Sequence, residues 1–209
     1  MKNRKTRSAM RRMLFTLALV LVVAVASVGG TIAWLTASTA PVTNTFTVGD
    51  INIELTETGA TNNAKQYKII PGTDLSKDPK VTVKAGSEAC WLFVKVEEVN
   101  WPTAKEDDGT TRKVKYAIAD DWTLVEGQTN VYYRVVDATT AATGVSYYVL
   151  KGDTTYANGV VTVSENLTKT EAEAIGTGNS APKLTFTAYA VQKDNINSAA
   201  DAWSKVSGT

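Results

Sequence analysis

Histidine is absent from all 209 residues, and that absence decides which chemistry is left to this chain. Ser-His-Asp and Cys-His arrangements and the H-E-x-x-H zinc motif all require an imidazole. A tetrahedral zinc site without it would need several thiolates, and the chain has one cysteine, Cys90. Neither a phosphate-binding G-x-x-x-x-G-K loop nor a G-x-G-x-x-G turn occurs. Carboxylates remain. Glu97-Glu98, Glu106-Asp107-Asp108 and Asp120-Asp121 are the groups from which a glycosidase or a calcium site could be assembled. None has the D-x-D-x-D-G spacing of a calcium loop, and neighbouring acids on strand ends and turns read as solvated.

Cys90 stands in an apolar run beside Trp91 and reads as a small packed hydrophobe rather than a nucleophile. Trp91, Trp101, Trp122, Tyr132, Tyr133, Tyr147 and Tyr148 are candidates for a platform on which sugars stack. Strand alternation turns one ring of a pair such as Tyr132-Tyr133 inward, so half of these rings belong to the core. The expectation is a non-catalytic protein with no metal and no cofactor.

The elements that must position these side chains are strands. Period-two alternation and β-branched residues dominate. In residues 45–56 (TFTVGDINIELT), Phe46 and Val48 share one phase and Ile51, Ile53 and Leu55 the other, with Gly49 at the change, as a bulge or bend requires. Residues 80–84 set Val81 and Val83 to one side. Residues 89–99 (ACWLFVKVEEV) are apolar on both faces before they alternate, the pattern of a central strand. Further strands are expected over 113–118, 122–125, 131–136, 145–150, 160–164 and 183–192.

Turn residues separate them, among them Pro71-Gly72, Ala85-Gly86, Glu126-Gly127 and Lys151-Gly152. Asn158-Gly159, between TTYA and VVTV, predicts a hairpin. Two short helices interrupt the pattern. One spans 167–175 with Thr170 as its cap and Gly176 as its stop; the other spans 197–206 with Ser198 ahead of AADAW and Trp203 packed on the sheets. Short strands at this spacing imply an all-β fold, an antiparallel β-sandwich or jelly roll with one or two short helices.

The amino-terminal end has a different composition. Lys2, Arg4, Lys5, Arg7, Arg11 and Arg12 precede an apolar run from Met13 to Val28, and Gly29-Gly30-Thr31-Ile32-Ala33 follows. A basic region, an apolar region and a small-x-small site in that order make a secretory signal peptide over residues 1–33, with cleavage between Ala33 and Trp34. Cleavage after Ala40 also satisfies the size rule, but Pro41 would adjoin the scissile bond. An uncleaved anchor is the other alternative, against which the run is shorter than the roughly 20 residues that span a bilayer.

Residues 34–44 would then form an extended amino-terminal segment and residues 45–209 one domain. Of the 22 Lys and Arg, six lie in the leader, which leaves sixteen against 21 acids, a net charge of −5. A mildly acidic surface offers nothing for nucleic acid or anionic lipid. With one cysteine no internal disulfide can form, so packing must supply the stability. No LPxTG-like motif or second hydrophobic stretch is present, so no attachment to a membrane is expected after cleavage.

Three stretches carry a family resemblance. Gly29-Gly30-Thr31-Ile32-Ala33-Trp34 resembles the junction of signal peptides cut by the SipW-type signal peptidase. Phe46-Thr47-Val48-Gly49-Asp50-Ile51-Asn52-Ile53 resembles the first strand, F-x-x-G-x-(L/I)-x-(L/I), of the TasA/camelysin family. Pro71-Gly72, a strand from Ser76 to Val83, the Ala85-Gly86-Ser87 turn and Cys90 to Val96 are similar to that family's following elements.

The resemblance implies an exported jelly-roll subunit of extracellular biofilm-matrix fibres, released by a SipW-type peptidase and associating with itself or other matrix proteins. It implies Trp34 and Leu35 as anchors of a segment donated to a neighbouring subunit. Camelysin-like proteins have also been labelled metallopeptidases, and without histidine that activity does not carry over. The competing reading is a monomeric secreted module that binds glycans or a host surface.

Overall fold

The structure is a computed structural model and describes residues 10–17, 49–61 and 65–207. Residue contacts divide the chain into two units, Met1–Thr47 and Val48–Thr209. Within the first, residues 10–17 form a helix (α1), in which the Thr16 hydroxyl donates back to the carbonyls of Arg12 and Met13. No helix among the described residues is long and apolar enough to cross a membrane. The expected cleavage residues Ala33 and Trp34, the anchor Leu35, and the Phe46 and Val48 half of the first strand lie outside the described residues.

The second unit is an all-β fold with antiparallel sheets. Its strands are β1 (Ile53–Thr56), β2 (Asp74–Ser76), β3 (Lys80–Val83), β4 (Cys90–Val99), β5 (Val114–Tyr116), β6 (Thr123–Leu124), β7 (Val131–Val136), β8 (Val145–Tyr148), β9 (Val160–Val163) and β10 (Lys183–Gln192). They join in three sheets ordered β1-β3-β8, β10-β4-β7-β6 and β2-β9-β5. Two short helices, α2 (Lys169–Ala174) and α3 (Ala199–Ser207), and a 3₁₀ turn at Gly178–Ser180 complete it.

Strand β4 organises the packing, because both of its faces are apolar. Cys90, Leu92, Val94 and Val96 meet Val81 and Val83 of β3, Trp122, Val136 and Val149 in one cluster. On the opposite face Trp91 and Phe93 pack with Val125, Val131 and the α3 residues Ala202 and Trp203. The Trp203 ring lies 5.4 Å from Phe93 and 5.3 Å from Tyr189, centroid to centroid. A third cluster, Val114, Leu150, Val161, Val163 and Leu167, lies under α2. The expected phases hold in β3, β4 and the described half of the first strand, where Ile51, Ile53 and Leu55 turn toward the first cluster and their neighbours are exposed.

Three local expectations are corrected. The strand expected from Ser76 to Val83 is two strands, because Pro79 interrupts it with no N–H to donate; β2 pairs with β9, and β3 pairs with β1 and β8. Asn158-Gly159 does not close a hairpin between TTYA and VVTV. Residues 154–157 are not a strand; Asp153 Oδ1 accepts from the N–H groups of Thr155 and Tyr156, holding them in a loop, and β9 takes β2 and β5 as partners.

The cap of α2 is Thr168, not Thr170. Its hydroxyl accepts from the Glu171 N–H at 3.3 Å, and the Glu171 carboxylate accepts from the Thr168 N–H at 2.9 Å. That reciprocal pair is a capping box, and T-x-x-E stands openly in the sequence two residues ahead of the threonine that was expected.

Candidate functional site: an open sheet edge

Glu97 and Glu98, adjacent on β4, point to opposite faces and find separate partners. Glu97 pairs with Lys95 at 2.7 Å; Glu98 accepts from Arg112 Nη1 at 2.8 Å and from the Tyr116 hydroxyl at 2.8 Å. Burial and the Glu98 carboxylate push the Tyr116 phenol above its usual range. Asp108 accepts from the N–H groups of Thr110 and Thr111, both at 2.7 Å, and from the Thr111 hydroxyl, which holds its carboxyl well below the usual range. Asp120 pairs with Lys151, and Asp121 with Arg134. Most of these acids stay exposed at the surface, as expected, and serve there as turn ties and ion-pair partners. Among the described residues no group of three or more His, Cys, Asp or Glu side chains comes together.

The cysteine and the aromatic rings are taken up in packing. Cys90 is fully buried, and desolvation pushes its thiol up to about 11. Trp91 and Trp122 are buried, and Trp101, Tyr132, Tyr133, Tyr147 and Tyr148 half-buried. Trp101 stands edge-on to Tyr116, with its Nε1 donating to the Val114 carbonyl at 3.2 Å, and Trp122 Nε1 donates to the Tyr148 carbonyl at 2.8 Å. The rings are divided among the clusters: Trp122, Tyr132 and Tyr147 pack with the first, Trp91 and Tyr133 with the second, and Trp101 with the third.

What the described residues leave open is backbone. Strand β10 ends its sheet: all ten of its residues pair with β4, and no strand among the described residues pairs with its other side. The Lys193 N–H donates to the Ala89 carbonyl at 2.9 Å, which sets the alternation of the ladder. Odd-numbered residues of β10 exchange hydrogen bonds with β4. Leu184, Phe186, Ala188, Ala190 and Gln192 consequently direct their N–H and C=O groups away from it. Val96 N–H, which donates to Asn130 at 2.9 Å, confirms the phase from the other side of β4.

Natural sheets blunt such edges with charge, proline or shortness. The other terminal strands do: β6 has two residues, β2 and β5 three each, β1 carries Glu54, and β8 has four residues. From Leu184 to Gln192 (LTFTAYAVQ), β10 has no charge and no proline. Edge strand β1 approaches β10 to within 8 Å between Cα atoms. Along this side the first core cluster is incompletely covered. Ile51, Ile53, Leu55, Leu184, Phe186, Ala188 and Ala190 are only partly buried, whereas Val81, Val83, Leu92 and Val94 are at 0% exposure.

Sequence reading identified β10 as a strand but not as an edge, because edge position follows from which strands pair. Comparison of the chain with protein-family models, with curated proteins and with solved structures finds no match.

Proposed function

We propose that this chain is an exported structural protein, a subunit of extracellular matrix or cell-surface fibres, whose second unit is a jelly-roll β-sandwich that accepts an added strand. The observation that carries the reading is the long, uncharged edge of β10 beside a partly uncovered apolar core. Unpaired N–H and C=O groups in a row are a template for another strand, and strand addition combines main-chain hydrogen bonds with side-chain anchoring.

In this reading a SipW-type peptidase removes residues 1–33 and exposes Trp34. Residues 34–44 (WLTASTAPVTN), rich in Ser and Thr and free of charge, then lie along β10 of the next subunit, with Trp34 and Leu35 as anchors. Buried aromatic residues dominate such contacts. Pro41 cannot donate to a ladder and belongs where the strand leaves the edge. The protein acts by assembly, needs no cofactor and catalyses nothing.

Amino-terminal sequencing of secreted protein should begin at Trp34. Mature protein and a form lacking residues 34–44 are then compared by light scattering and electron microscopy; equal fibre formation by both would exclude donation by this segment. Ala188→Pro removes an N–H that faces the open edge rather than β4, a place where proline is tolerated. It should lower assembly while circular dichroism stays unchanged.

A further inference from the structure

Lys77 and Glu57 sit just past the ends of β2 and β1. Both are largely shielded, with side-chain exposures of 10% and 14%, and Lys77 Nζ lies 2.9 Å from Glu57 Oε2. The other carboxylate oxygen, Oε1, accepts from the Tyr67 hydroxyl. Two aromatic rings close over the amine: Nζ is 5.3 Å from the Tyr67 centroid and 5.3 Å from the Phe186 centroid. Lysine is among the residue types least often buried, and an ion pair held this far from water carries a desolvation cost that its attraction does not always recover.

We propose that Lys77 and Glu57 condense to an intramolecular amide, a covalent cross-link closing the loop from 57 to 77. The ammonium passes one proton across the 2.9 Å contact to Oε2. The neutral Nζ attacks Cδ, and the Cδ–Oε2 bond breaks as that oxygen leaves as water with a second proton from the nitrogen. One N–H remains on the new Nζ–Cδ bond, so an ammonium and a carboxylate become an amide and one water, with no oxidant or other reagent.

Oε1 becomes the amide carbonyl oxygen, and the Tyr67 hydroxyl is already placed to stabilise it while charge develops there. Burial and the Glu57 carboxylate hold that phenol far above its usual range, so it keeps the proton it donates. Nucleophile and electrophile start in contact, the situation in which positioning removes much of a barrier. The product is neutral and suits a partly apolar site better than two charges. In a chain whose one cysteine permits no internal disulfide, the bond ties the residue after β1 to the residue after β2.

The test is the intact mass of the secreted chain, with its amino terminus fixed by sequencing, followed by peptide mapping. The expected result is a chain lighter by one water, with a branched peptide joining Glu57 to Lys77. Lys77→Arg keeps the charge but cannot form this bond, and should be folded by circular dichroism and at full mass. An unmodified wild-type mass overturns the proposal, as does a water loss that maps elsewhere, for instance to Asp108-Gly109. Neither result bears on fibre formation, so this inference and the proposed function fail separately.

Discussion

Replacing Trp203 with alanine tests whether α3 is part of the core or a decoration on it. The ring is 9% exposed and contacts Phe93 and Tyr189 at centroid distances of 5.4 and 5.3 Å. A buried aromatic of about 150–250 Å², at about 25 cal/mol/Å², corresponds to roughly 4–6 kcal/mol of transfer free energy. Alanine retains part of that, and the two ring contacts add about 0.5–1.5 kcal/mol each. Core Trp→Ala changes cost about 3–5 kcal/mol, and the same range is expected here.

Domain stability is about 5–15 kcal/mol in total, so this is a severe loss. The helix has nine residues and cannot persist undocked, since isolated helices below about 12–15 residues are marginal. With a urea slope near 2 kcal/mol per molar, the midpoint should fall by about 2 M. Unfolding followed by far-UV circular dichroism reads this directly. Ser198→Ala, which removes the hydroxyl that accepts from the Asp201 N–H at 3.1 Å, should cost only about 1 kcal/mol. A midpoint shift for Trp203→Ala no larger than that for Ser198→Ala would refute a core role for α3.

Cys90, buried and with its thiol pushed up to about 11, should react with a thiol reagent at pH 8 only at the rate of unfolding; prompt labelling of native protein would contradict its placement. The Glu171 carboxyl is lowered to about 2, first by the hydrogen bond from Lys113 and then by Thr168. A depressed folded value means stability that is present above the unfolded value of about 4.3 and lost as pH falls toward 2. The stability gap between wild type and Glu171→Gln should therefore narrow between pH 5 and about 2, and a gap that widens there would be the wrong sign. Gly144 has φ +75°, and a Cβ there would lie 2.4 Å from the Val83 carbonyl oxygen. Gly144→Ala should thus destabilise well beyond Gly86→Ala, where φ is +78° but the space is open.

Most strand positions were legible because alternation is a local property. Residues 131–136 and 183–192 form strands over those bounds, and 89–99 showed by its two apolar faces that it would be central. Trp203 packing followed from an aromatic on a short helical stretch, and Ser198 ahead of AADAW proves to accept from the Asp201 N–H at the helix start. Misreadings occurred where local signals compete. Thr168 and Thr170 each have a glutamate three residues on, Glu171 and Glu173, so the T-x-x-E pattern fits both, and only the Thr168–Glu171 pair closes as a capping box. Asn158-Gly159 is a turn signal, but Asp153 holds the preceding residues in a loop, leaving no strand for the turn to join.

By itself the sequence determined that imidazole chemistry is excluded, that one cysteine permits no internal disulfide, and which face of each long strand is apolar. Those properties depend on residue type and on a period of two. Only the tertiary structure decided which strands are neighbours: that β9 joins β2 and β5, that β10 ends its sheet among the described residues, and that Lys77 meets Glu57 across twenty residues. Alternation says which way a side chain points and nothing about what its strand pairs with. Pairing is settled by packing between segments far apart in the chain, and the place of β10 at the end of its sheet among the described residues is a result of that packing.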